Sequence, residues 1–469
     1  MNGSDGMKKG WLIKGHFFHR QTRQIMLFLL FAAVYSSAQT WSVRSPDSAV
    51  VIEAKQDVVT AISSNKNCYF RVLLSGQTLI DWSPIGVKTN DQDFVSNLTF
   101  VNDSPAVINE TYTLPSGKRS TYKNNCNELT LIFNNSNNRK VAFYLRAYNE
   151  AAAVRSELRG TGPATITGEV TGFSVPSGSL YWGHSAFSSD EAPFDQHTIG
   201  DAAINLAIPI LVKSNSNGWA LLTEAAVYGD YTGSKFMSNS STKNVFQAAF
   251  IDGQGAISGT LPWTLPWRVA IVGKTFGPIV ESSVIENLNP PCELTDISWI
   301  KPGRCSWSYP TQDNDHSVTL QKHYVDFASQ MGWEYNTTDW NFDKAQVPGL
   351  VQYANQKNVD EELWYDYNRD IPTQALQNSV FPQCHTWGLK CLKIDFISQG
   401  EVNCNHSLMQ WYDMTAKNLA TNKLMATLHG CTEPRGQRRR WPHLMTWESV
   451  MGYEYVGRGY GGSQGGGET

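Results

Sequence analysis

Pro290-Pro291 divides this 469-residue chain into two rhythms that no single layer of structure satisfies. Before it, from about Thr40 to Leu288, short apolar–polar alternations recur at residues 49–54, 68–74, 128–133, 141–148 and 219–224. Asn, Ser, Gly and Pro separate them, and no long stretch carries a helical repeat. Short alternating runs between turn formers predict an antiparallel β-sandwich over residues 39–288. After the prolines, strand-like runs alternate with helical ones. Residues 298–300 lead to a helix over 318–331, residues 333–335 to one over 347–357, and residues 362–365 to one near 373–379. Residues 389–396 lead to a helix around 407–421, and residues 423–429 and 444–447 are the next strands. This alternation predicts a parallel sheet closing toward a barrel. Six strand candidates in about 180 residues fall short of the roughly 250 that a full barrel takes. The expectation for residues 289–456 is therefore an incomplete (β/α)8 TIM barrel, truncated at its C-terminus, with 457–469 as a Gly-rich tail.

Residues 1–38 read as a signal peptide. Lys8, Lys9, Lys14, Arg20 and Arg23 precede an apolar run over 25–38, which has the length of a signal core and is too short to span a bilayer. Ser36-Ser37-Ala38 supplies the small residues that cleavage needs. The expected product is secreted or extracytoplasmic (periplasmic in a bacterium), with no stable membrane insertion after cleavage. Cleavage removes five basic residues and one acidic residue from a chain of formal charge −4, leaving −8. Apart from Arg438-Arg439-Arg440 no basic run remains, which argues against nucleic acid as a partner. Export permits the eight cysteines to pair, in any of 105 connectivities, and none has the C-x-x-C spacing of a zinc site. Sequons at Asn97, Asn102, Asn109, Asn134, Asn239, Asn336 and Asn405 fit a glycoprotein.

The chemistry concentrates late in the chain. Leu392-Lys393-Ile394-Asp395-Phe396 ends an apolar run with a lone carboxylate, and Trp447–Tyr455 carries two more, Glu448 and Glu454. In a β/α barrel, acids at the C-terminal ends of strands face the active-site mouth. Two carboxyl groups flanking one sugar are the basic equipment of glycoside hydrolysis. The 16 Trp and 19 Tyr suit sugar stacking as well as core packing.

Several motifs share one order and spacing: Asn289-Pro290-Pro291-Cys292, Trp299-Ile300-Lys301-Pro302-Gly303, Tyr324-Val325-Asp326-Phe327-Ala328 and Met331-Gly332-Trp333-Glu334-Tyr335. His429-Gly430 follows, then Pro434-Arg435-Gly436. Through them the chain resembles glycoside hydrolase family 97, a group of calcium-dependent α-glycosidases with an N-terminal β-sandwich, a (β/α)8 barrel and a small C-terminal β-domain. Inverting members carry Gly in place of Asp395 and His-Glu in place of His429-Gly430. Retaining members carry the Asp as nucleophile and lack that Glu. The resemblance thus implies a retaining enzyme acting on an oligosaccharide or glycoside, with α-galactosides preferred to α-glucosides.

It implies Asp395 as nucleophile and Glu454 as acid/base, with carboxyl groups roughly 5–5.5 Å apart. Lys393 is expected to hold the nucleophile ionised and to bind a sugar hydroxyl. Glu191, Glu448 and Glu454 are the implied Ca²⁺ ligands, Asp190 being a rival to Glu191. Asp339 and Trp340 after the second barrel strand, and Trp364 at the end of the third, are candidates for substrate binding, as is His429. Two alternatives stand beside this reading: an inverting calcium-dependent α-glucosidase using Glu433 as base, and an inactive carbohydrate-binding fragment.

Overall fold

A computed structural model describes residues 39–188, 191–216, 218–312, 315–397 and 404–452. The proposed signal peptide, the Gly-rich tail, Asp190 and Glu454 lie outside the described residues.

The alternation of the first half becomes two antiparallel sheets. One runs through Thr40–Arg44, Val50–Asp57, Asn67–Leu74 and Gln77–Ile85 and onward to Val245–Phe250. The other is built around long hairpins, Thr99–Thr113 with Thr121–Asn134 and Lys140–Tyr148 with Ala151–Glu169. Successive residues of a strand face opposite sides, so the apolar half of each strand meets the other sheet. Ile52 and Phe70 from one sheet and Phe133, Phe143 and Val154 from the other share one buried core. The second sheet also presents Trp267, Val269 and Ile271 on its outer face, where Ile279, Val284 and Leu288 pack before the chain enters the second half.

Beyond Pro291 lie six parallel strands in sequential order: β1 Cys305–Trp307, β2 Tyr335–Thr338, β3 Asp360–Asp366, β4 Cys391–Asp395, β5 Met425–His429 and β6 Leu444–Glu448. Helices α1 Val318–Met331, α2 Val347–Gln356, α3 Gln374–Trp387 and α4 His406–Thr421 return between them, forming a parallel-strand half-barrel. Each long helix starts on a side-chain cap where its sequence supplies one: Ser317, Thr373 and Asn405 accept from the third residue onward. Gly332 and Gly388, both left-handed, end α1 and α3. Among the described residues no helix is long and apolar enough to cross a membrane.

Four readings are corrected. Residues 298–300 form no strand: Asp296 accepts from Ser298, and Ile300 N–H bonds back to Ile297, closing a turn. The first strand lies later, in the short Cys305–Trp307. Helix α3 continues through Pro382 to Trp387 instead of ending near residue 379. Cys68, Cys126, Cys292, Cys305, Cys384, Cys391 and Cys404 are thiols. Asn336 is fully buried in β2, its Nδ2 donating to Glu361 at 3.2 Å, so that sequon is closed in the folded chain.

Candidate active site

Strand β4 explains why an apolar run ends in a carboxylate. Leu392 and Ile394 are 0 % exposed and pack outward with Val351 and Phe381, under the helices. The alternate residues Cys391, Lys393 and Asp395 therefore face the lumen. Asp395, 7 % exposed, accepts the Phe396 N–H on Oδ1 at 2.6 Å and the Trp364 indole N–H on Oδ2 at 3.0 Å. His429 Nδ1 lies 3.3 Å from the same Oδ2, at ion-pair distance without full hydrogen-bond alignment. Burial pushes the Asp395 carboxyl up. The His429 contact, the Trp364 donor and the Lys393 ammonium outweigh it and hold the group below its ordinary value.

Lys393 is buried at the next inward position. Its ammonium sits 3.5 Å from Glu448 Oε2 and 4.1 Å over the Trp307 ring. Burial alone pulls the ammonium down, yet Glu448, Asp339 and Asp395 raise it above its ordinary value. Asp339, just past β2, accepts the Trp307 indole N–H at 2.5 Å and the Trp340 N–H at 2.7 Å. Its burial raises its pKa against the pull of Lys393. Asp339, Trp340, Trp364, Arg369 and Asp370 line a cleft of about 320 Å³, the lower end of the size range for small-molecule sites. A second hollow of about 320 Å³ follows the lumen inward from Lys393 and Glu448 past Thr427 and Glu362.

Carboxylates from both halves of the chain meet at His429, the last residue of β5. Glu191, from the sandwich, places Oε1 at 3.1 Å from His429 Nε2, and Glu448, ending β6, places Oε1 at 3.8 Å. Hard carboxylate oxygens are the donors calcium takes, so the donor type fits. Among the described residues no cluster of three or more His, Cys, Asp or Glu side chains has metal-site geometry. Glu454, the third expected carboxylate, lies outside the described residues.

A family model described as Glycosyl-hydrolase 97 N-terminal matches residues 43–291, and one described as Glycoside hydrolase 97 matches residues 304–450. The chain belongs to glycoside hydrolase family 97. It is 26 % identical over 464 residues to a probable retaining alpha-galactosidase of Streptomyces bingchenggensis, covering 93 % of this chain and 71 % of that protein. It is 24 % identical over 488 residues to a retaining alpha-galactosidase of Bacteroides thetaiotaomicron, covering 92 % and 70 %. The crystal structure of a beta-arabinopyranosidase superposes with a TM-score of 0.80 at 27 % identity, covering 89 % of this chain and 71 % of that one. A family 97 enzyme from Pseudoalteromonas sp. strain K8, in complex with acarbose, shares the fold with a TM-score of 0.78 at 20 % identity, covering 89 % and 70 %.

In this family 97 glycosidase the fold gathers Asp395, Lys393, Trp364, His429, Glu191 and Glu448 around the ends of β3 to β6. Asp339 joins them through Trp307. Trp340 stands at the outer rim of the cleft, 40 % exposed and edge-on to His316. Glu433 places its Oε2 3.2 Å from Arg435 Nη2. Two site residues escaped the sequence reading. Trp307, which links Asp339 to Lys393, sits on the misplaced first strand. Glu362, buried in the lumen, accepts from Thr337 and Thr427 at 2.7 Å and from Cys391 at 3.1 Å. Its only sequence signal was a Glu at an inward position of a recognised strand.

Burial alone lowers the His429 pKa from 6.5, but Asp395, Glu191 and Glu448 raise it to about 10. Because the folded value is the higher one, the stabilisation it brings is whole below pH 6.5 and is lost as pH rises through about 10. In calcium-free protein, imidazole NMR should show His429 still protonated at about pH 8. A midpoint near the ordinary histidine value would refute this reading of the contacts.

Proposed function

We propose that the chain is an exported retaining α-galactosidase that removes terminal α-linked sugars through a glycosyl-enzyme intermediate. Asp395 attacks the anomeric carbon as its carboxylate, and the glycosidic C–O bond breaks as Glu454 protonates the leaving oxygen. Glu454 then takes a proton from water, which attacks the anomeric carbon and releases Asp395. His429 and Trp364, with a smaller contribution from Lys393, keep Asp395 charged, and Lys393 offers a donor to a sugar hydroxyl. Asp339, Trp340 and Trp364 bind the sugar along the cleft. The parallel strands belong, on this reading, to a (β/α)8 barrel.

The observation that carries the proposal is the packing of Gly430 on Asp395. A Cβ on Gly430, whose φ is +50°, meets Phe396 N at 3.3 Å and Asp395 Oδ1 at 3.6 Å. A Cβ at 430 would press on the Phe396 N–H and lie in ordinary van der Waals contact with the carboxylate that this chain carries at 395. Its buried, ionised state suits a nucleophile. The names of the two curated relatives support galactoside as substrate.

Calcium enters as part of the same proposal. Glu191 and Glu448, with Glu454, would hold it, carbonyls and waters completing the shell. When bound, such an ion orients the adjacent carboxyl groups and shifts their pKa values.

The test is hydrolysis of p-nitrophenyl α-D-galactoside, α-D-glucoside and β-L-arabinopyranoside by the purified chain, with the first product sugar followed by NMR. Galactoside should be cleaved best, and α-galactose should appear before mutarotation. β-Anomer released first would transfer the chain to the inverting class. Chelation with EGTA should lower kcat/KM at least about tenfold, on the scale of losing a ligand-orienting group, and added CaCl₂ should restore it. Activity indifferent to EGTA would sink the calcium assignment.

A further inference from the structure

Pro434-Arg435-Gly436 has no part in the chemistry described so far, yet it is tied into the fold through buried contacts. Arg435 is 2 % exposed. Its Nε donates to Glu224 Oε1 of the sandwich at 2.6 Å, while Nη1 donates to the Glu433 carbonyl at 2.9 Å. Its own carbonyl accepts from Asn289 Nδ2 at 2.8 Å and from Ala226 N–H at 3.2 Å. Gly436 follows at φ +87°, where a Cβ would strike the Ile285 carbonyl at 2.5 Å. The segment that begins at His429 and Gly430, against the nucleophile, is thus anchored six residues on in the sandwich.

Glu224 holds a second tie. It is 0 % exposed and also accepts from Ser234, the N–H at 3.1 Å and the hydroxyl at 2.5 Å, and from Arg268 Nη1. Next to Ser234, Gly233 N–H donates to the Cys404 carbonyl at 2.9 Å, and Thr232 Oγ1 donates to the same oxygen at 3.0 Å. Cys404 lies on the connection that leaves β4 after Asp395. One buried carboxylate of the sandwich therefore underpins the chain after β4 and the chain after β5.

We propose that Glu224 and Arg435 are positioning residues for the reaction at Asp395: through their pair the sandwich fixes how His429 and Gly430 sit against the nucleophile. The proposal rests on the reading of Asp395 as nucleophile. A pair that only added stability would move the melting temperature and leave the split between kcat and KM alone. A positioning pair acts on the transition state, where small displacements are felt strongly.

The experiment compares Arg435→Lys, Glu224→Gln and the double variant, in the full chain, with wild type. Arg435→Lys keeps the charge and loses the planar fork. Expected are a kcat at least tenfold lower with KM within threefold, and a double variant no worse than the poorer single one. Hydrogen exchange of peptides covering residues 428–436 should rise at least fivefold while the Ile52–Phe143 core stays protected. Unchanged kcat and unchanged exchange in soluble Arg435→Lys or Glu224→Gln would overturn the proposal, as would additive losses in the double variant. Hydrogen exchange needs no turnover: faster loop exchange with an inactive wild type would sink the reading of Asp395 as nucleophile and leave the tie standing. If one variant fails to fold, the other decides.

Discussion

Asp395→Ala should lower turnover of p-nitrophenyl α-galactoside by roughly 10⁴-fold or more, the scale on which loss of a catalytic nucleophile is felt. Three contacts make the carboxylate suited to attack: Phe396 N–H at 2.6 Å, the Trp364 indole at 3.0 Å and His429 at 3.3 Å. None of them holds the strand, which is secured by its ladder to β3 and β5 and by Leu392 and Ile394 beneath the helices. The variant should therefore fold, with a circular-dichroism spectrum like that of wild type. Azide or formate enters the space that the carboxylate leaves and attacks the anomeric carbon directly, so either should restore turnover, azide giving a β-galactosyl azide. Rescue with that stereochemistry establishes the nucleophile. Residual activity near wild type would mean that another group attacks, and the retaining assignment would fall with it.

The largest loss of stability is expected from Arg268→Met. Arg268 is 1 % exposed and holds Glu169 through Nε at 3.1 Å and Nη2 at 2.7 Å. Its Nη1 reaches Glu224 and, at 2.9 Å, the Ser234 hydroxyl. Burial alone lowers its pKa, but Glu169 and Glu224 outweigh it and leave the guanidinium firmly charged. Methionine fills a similar volume and leaves two buried carboxylates with one cation fewer. Breaking a buried pair in this way costs about 3–5 kcal/mol. In a chain of this size that lowers Tm on the order of 10 °C. Replacing the whole charged group by apolar residues is a different experiment and is often neutral. Arg268→Met with Glu169→Gln should accordingly recover part of the loss, because Glu224 keeps Arg435 as its cation. A single variant melting within about 2 °C of wild type would show that the carboxylates have protonated or gained water, and that the network is not structural.

Much of this was legible because it is local. Alternation at residues 49–54, 68–74 and 141–148 has one stable solution, a strand with one face buried. The run 389–396 similarly reads as a lumen strand whose inward residues are polar. The caps that Ser317, Thr373 and Asn405 place on three helix starts are local as well. The strand at Cys305–Trp307 was hidden because three residues are too few to show a periodicity of their own; it is a strand only because β2 lies beside it. The extent of α3 was hidden for a related reason. Pro382 breaks the local pattern, and only burial of Phe381 and Cys384 against the sheet keeps the helix going.

The candidate site divides in the same way. The inward placement of Lys393 and Asp395 follows from a two-residue period, and motif order pointed to His429-Gly430, Glu191 and Glu448. Their convergence is tertiary. Glu191 and His429 stand 238 residues apart in the chain and 3.1 Å apart in space. The pairing of Glu224 with Arg435 spans 211 residues and left no trace in either neighbourhood. Sequence by itself determined which faces are apolar, where strands alternate with helices and which strand ends carry acids, because those follow from the period of the backbone. Only the tertiary structure decided which acids are buried beside a cation and which loops are tied to the sandwich, because both depend on partners that chain distance does not predict.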